Sequence, residues 1–122
     1  MITARQLYRT DIEALSAQDD PVEALNKMDE YHVAHLPVVD NGKYLGLISE
    51  PTLLGAETLV TKGGHNQLPL MNISVKPQNH ILDILRAAGE QHISLIPVVD
   101  EENTYLGAIT LEDLVEKLSQ MQ

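Results

Sequence analysis

The chain has 122 residues and a net charge of −10 from eight basic and eighteen acidic side chains, with 43% apolar residues and no cysteine, tryptophan or phenylalanine. One domain of this length buries roughly two-thirds of the surface its unfolded chain exposes, so the core must be built from Leu, Ile, Val, Ala and Met. The acidity opposes binding to nucleic acid or anionic lipid, the lack of cysteine excludes disulfide and thiolate chemistry, and no apolar run approaches the ~18 residues of a membrane span.

The N-terminal stretch Met1–Tyr8 has no apolar signal core, so the expected location is the cytoplasm. A helix is predicted after Asp20-Pro21-Val22-Glu23, an N-cap followed by proline at the first helical position and an acid at the third. Val22, Leu25 and Met28 then recur on one face. Leu36–Val39 reads as a short buried strand. Asn41-Gly42 reads as a hairpin turn, and Tyr44–Ser49 as the returning strand. A second helix is predicted over roughly Pro51–Val60. The polar, glycine-rich stretch Thr61–Gln67 reads as a linker.

The pattern then repeats. Asn79 can cap a helix whose apolar stripe is Ile81, Ile84, Leu85 and Ala88. The strand Ile96–Val99, the turn Glu101-Glu102-Asn103 and the strand Tyr105–Thr110 follow. The last helix begins at Leu111 and places Leu114, Val115, Leu118 and Met121 at helical spacing. His32–Asp40 and His92–Asp100 share five of nine residues at an offset of 60. Tyr44–Ser49 and Tyr105–Thr110 share four of six at an offset of 61, the extra residue falling in the turn, where length change is tolerated. The expected fold is α+β: two βαββα repeats related by a pseudo-twofold axis and packed sheet to sheet in one module over residues 1–122. Repeat one covers about 10–60, the linker about 61–69 and repeat two about 70–118.

A helix, a hydrophobic-hydrophobic-Pro-Val-Val-Asp strand, a turn, Gly-hydrophobic-hydrophobic-Thr/Ser and a second helix resemble the CBS repeat, named for cystathionine β-synthase. The duplicated motif at constant spacing resembles a tandem pair of such repeats over about residues 10–118. The resemblance implies a regulatory module that binds an adenosine-containing ligand (AMP, ADP, ATP or S-adenosylmethionine) in a cleft between repeats and pairs through its helices into a homodimer. It implies no required cofactor. The family's ribose motif, Gly-x-x-Thr/Ser-x-x-Asp, is matched by Gly107, Thr110 and Asp113. A carboxylate accepts hydrogen bonds from both hydroxyls of a ribose, and the helix start favours an anion. Ile93, Ile96 and Pro97 would then enclose the adenine. The same residues also read as a plain helix cap, Thr110 with acids in the first turn.

In repeat one Gly46 and Ser49 are present, but Thr52 stands where the Asp belongs. Ser49, Thr52, Leu36 and Pro37 therefore form at best a weaker second site, because one hydroxyl does not reproduce a carboxylate's acceptance of a diol. The eight basic residues form no cluster in sequence, which disfavours a triphosphate. His32 and His35 are three apart but straddle a helix-to-strand junction, and metal binding is not expected. No nucleophile–base set, paired-carboxylate spacing or phosphate-binding glycine loop stands out, so catalysis is not expected. A ligand-free module acting on a protein partner in trans is the competing reading.

Overall fold

The structure is a computed structural model, and it describes residues 1–16, 18–56 and 68–121. In chain order the elements are a 3₁₀ turn at Ala4–Gln6, β1 (Leu15–Ser16), α1 (Pro21–Tyr31), β2 (His35–Asp40), β3 (Lys43–Ser49), α2 (Glu50–Leu54), α3 (Ile81–Gln91), β4 (Leu95–Val99), β5 (Tyr105–Thr110) and α4 (Leu111–Gln120).

Local chemistry accounts for the element ends. The Asp20 carboxylate accepts a hydrogen bond from the Val22 N–H at 2.8 Å, so α1 is capped as its sequence predicts. The cap of α3 is His80 instead of Asn79, with the Leu82 N–H donating to His80 Nδ1 at 3.1 Å. Asn79 Oδ1 is already engaged by the Lys76 N–H at 2.6 Å, which closes the preceding turn. Both long helices stop in the same way. His32 and His92 adopt left-handed backbone, with φ of 58° and 52°. The next N–H of each, from Val33 and Ile93, reaches back to the carbonyls of Met28 and Ala88. These are Schellman closures with histidine in the position glycine usually takes. The repeated histidine is therefore a helix stop. α2 is shorter than expected, ending before Gly55, and residues 57–60 of its predicted span lie outside the described residues, as does most of the linker.

The hairpin β2–β3 turns on Asn41 and Gly42, both at positive φ, as a two-residue hairpin loop requires. β4–β5 repeats its register, including the irregularity at Val98/Val99 that answers Val38/Val39. β1 pairs in parallel with β2 through Leu15↔Val38, and Val75 bridges Val98 in parallel at the equivalent place in repeat two.

The repeats exchange their leading segments. Arg9 pairs with Ala108 on the outer edge of β5, while Met71 pairs with Leu47 on the outer edge of β3. Each sheet is thus completed by the other repeat. Two glycines make this possible. A Cβ on Gly107 would lie 2.3 Å from the Arg9 carbonyl oxygen and 2.6 Å from Tyr8 Cδ2, and one on Gly46 would lie 2.7 Å from Leu70 Cβ. Two tyrosines lock the exchange. Tyr44 donates its hydroxyl to the Ile73 carbonyl at 2.6 Å, and Tyr105 donates to the Ile12 carbonyl at 2.8 Å. The hairpin tips join as well, the Tyr44 N–H donating to Asn103 O and the Tyr105 N–H to Gly42 O, both at 2.9 Å. One apolar core, from Ile12 and Leu15 through Leu36 and Ile48 to Ile84, Ile96, Ile109 and Leu114, runs through both repeats.

Candidate functional site

β5 runs directly into α4, and Thr110 at the junction is the helix N-cap. Its Oγ1 accepts a hydrogen bond from the Asp113 N–H at 3.1 Å. Thr110 is 3% exposed, so its hydroxyl is buried against the helix start. The cap is therefore real, and it consumes the Asp113 amide while leaving the Asp113 carboxylate at liberty to face outward. That side chain is 37% exposed and meets Arg9 Nη1 at 3.4 Å.

Arg9 comes from the exchanged N-terminal segment. Its Nε and Nη2 each contact an Asp11 carboxylate oxygen at 3.0 Å. The hydrogen bond from Arg9 is the main cause that holds the Asp11 carboxyl below its ordinary range, and Asp11 in turn raises the Arg9 guanidinium. Beside this cluster lies a groove of about 260 Å³ lined by Gln6, Leu7, Asp113, Glu116, Lys117 and Gln120. An exposed carboxylate, two cations and an open groove converge there from two stretches of chain, residues 6–11 and 113–120.

The other predicted adenine-side residues sit elsewhere. Ile96 is fully buried in the core, Pro97 is buried opposite Ala108, and Ile93 lines a different groove of about 320 Å³ with Leu85, Ala88, Gly89, His92 and Leu111. The structure joins Thr110 and Asp113 through the cap hydrogen bond, but of the two only Asp113 lines this groove, and Ile93 is not brought into it. In repeat one, Ser49 Oγ and Thr52 Oγ1 are 3.1 Å apart and satisfy each other, while Leu36 and Pro37 are buried in β2. The two hydroxyls form a local pair at the start of a five-residue helix.

Sequence reading missed the junction between the repeats. Ser94 Oγ accepts from the Ala34 N–H at 2.9 Å and lies 2.9 Å from His35 Nδ1, while the Ser94 N–H points at the same nitrogen from 3.3 Å. Nδ1 thus faces donors, which fits a neutral ring protonated at Nε2. Burial lowers the His35 pKa from its ordinary value. The carbonyls of Ala34 and Ser94 accept the first N–H of α2 and α4, so this junction positions both helix starts. His32, by contrast, is exposed at its helix stop, 3.8 Å from Glu112, and shares no partner with His35. The only advance signal was that residues 34–35 and 94–95 immediately precede the duplicated strands.

A tandem α+β pair with exchanged edges and one polar helix start per repeat defines a duplicated-module architecture. The CBS domain model matches residues 4–59 and again 62–120, and the chain belongs to the CBS domain family. An inosine-5'-monophosphate dehydrogenase of Methanocaldococcus jannaschii is 30% identical over 115 residues, 93% of this chain, and the chain spans 23% of that enzyme's length. Among solved structures, CBSX2 in complex with AMP superposes with a TM-score of 0.78 at 20% identity, covering 99% of this chain and 98% of that one. The CBS domain pair of protein MJ0100, in complex with 5'-methylthioadenosine and S-adenosyl-L-methionine, superposes at 0.76 with 18% identity, covering 99% and 98%. These likenesses establish the fold.

Proposed function

We propose that the chain is a non-catalytic regulatory module that binds an adenosine-containing ligand with its ribose on Asp113. The observation that carries this reading is the division of labour at α4. The Thr110 hydroxyl supplies the cap hydrogen bond, so the part-exposed Asp113 carboxylate, in the first turn of α4, has Arg9 as its one side-chain partner among the described residues and is open to a ligand. Two ribose hydroxyls donating to one carboxylate suit that geometry. The ligands bound by CBSX2 and MJ0100, all adenosine derivatives, support the ligand class. The test is thermal unfolding with AMP, ADP, ATP and S-adenosylmethionine against the wild type and Asp113→Ala. A ligand at 100 times its dissociation constant adds about 2.7 kcal/mol of stability. A stabilisation that survives in Asp113→Ala defeats the ribose assignment.

The module acts as a homodimer in this reading. α3 and α4 expose Leu82, Leu111 and Val115 around the larger groove, whereas repeat one places Val22, Glu50 and Leu54 at the equivalent positions. Ligand binding would shift the population of dimer arrangements through differential affinity. Sedimentation of the wild type against Val115→Glu tests the interface, and a monomeric wild type would favour a protein partner acting in trans.

A further inference from the structure

We propose that Arg9 is a latch on the Asp113 site that makes it select an anionic adenosine nucleotide over the neutral nucleoside, an inference that rests on the ribose reading above. The backbone of Arg9 is fixed. Its N–H donates to Ala108 O at 2.8 Å, and its carbonyl accepts from the Ala108 N–H at 3.0 Å, one residue beyond the glycine that admits it. Only the side chain is left to respond to a ligand.

That side chain is held unequally. Two 3.0 Å hydrogen bonds fasten Nε and Nη2 to Asp11, while Nη1 reaches Asp113 at 3.4 Å through a single contact. The Asp113 arm is the weak one, and the guanidinium stays anchored on Asp11 when that arm opens. A ribose that takes the Asp113 oxygens displaces Nη1 and leaves an N–H of a permanent cation beside the ligand. A neutral nucleoside offers that N–H only an uncharged acceptor. A 5'-phosphate offers a charge-assisted acceptor, and Lys117 lines the same groove to share it. Two cations, one of them already paired with Asp11, suit a monophosphate better than a triphosphate. The latch therefore costs a neutral ligand the Arg9–Asp113 contact and returns that contact to an anionic one.

The test is calorimetric titration of AMP and of adenosine into the wild type, Arg9→Gln and Arg9→Lys, at one low ionic strength. The wild type is expected to bind AMP about tenfold more tightly than adenosine, equivalent to 1.4 kcal/mol. Arg9→Gln should bring the two affinities together, AMP weakening while adenosine holds or tightens on the unlatched carboxylate. Arg9→Lys, which keeps the charge and loses the fork that spans Asp11 and Asp113, should fall between. An AMP-to-adenosine ratio unchanged in Arg9→Gln overturns the latch and leaves the ribose site standing. Failure of the wild type to bind either compound overturns the ribose site and the latch with it.

Discussion

Replacing Gly107 with alanine probes the exchange of segments that closes the fold. The new Cβ would lie 2.3 Å from the Arg9 carbonyl oxygen, 2.6 Å from Tyr8 Cδ2 and 3.1 Å from the Arg9 carbonyl carbon. Two of these three are backbone atoms, which have no rotamer to change, so the N-terminal segment must lift from β5. Lifting breaks the reciprocal pair of Arg9–Ala108 hydrogen bonds. At about 1 kcal/mol each, with overpacking strain of about 1–3 kcal/mol, the expected loss is about 3–5 kcal/mol. Urea unfolding followed by circular dichroism reads this as a lower midpoint at unchanged slope. Gly89→Ala is the internal comparison: nothing lies within 4 Å of its added Cβ on the helix surface. It should gain about 0.5–1 kcal/mol from helix propensity. A Gly107→Ala variant within 1 kcal/mol of wild type would refute the close-approach argument, since the clash would then have been relieved without unpairing the segment.

Tyr105→Phe should cost about 1–2 kcal/mol in the same assay, because the Ile12 carbonyl loses its buried donor. Tyr44→Phe should behave alike through Ile73. Burial raises both phenols well above the ordinary value of 10, so stability should fall as pH climbs above 10, read as a declining urea midpoint. His35 works in the opposite sense: its pKa is lowered in the fold, so stability is present above about 6.5 and lost as pH falls through the folded value. His35→Gln should flatten that acid limb of the urea midpoint. Asp113→Ala should change stability by no more than about 1 kcal/mol, because its ion pair is exposed and its cap bond runs through the backbone.

Duplication made the repeats legible. Pro-Val-Val-Asp and Tyr-Leu-Gly recur at nearly constant spacing, and every strand they predict is present within a residue. The Thr110 cap and the neighbouring carboxylate were legible for the same reason, since capping depends on residues three apart. What local pattern could not carry was contact between distant stretches. Arg9 sits 104 residues from Asp113 in a segment without periodicity, and Ser94 and His35 are ordinary residues until the two strand starts meet. Ile93 and Ile96 illustrate a different limit. Both are buried core residues that look alike in sequence, yet Ile93 also lines the groove beside α3 and α4 while Ile96 is fully buried in β4. The shared tyrosines looked like strand residues and proved to be clamps, because the polar end of a half-buried aromatic seeks a partner the sequence does not name.

The measurement that bears most directly on the account is a crystal structure of the chain grown with AMP. The account predicts a nucleotide whose ribose hydroxyls both lie within hydrogen-bond distance of Asp113, with the Arg9 side chain turned from that carboxylate toward the phosphate. A nucleotide seated instead at Ser49 and Thr52, or an Asp113 still paired to Arg9 beside the bound ligand, would contradict it.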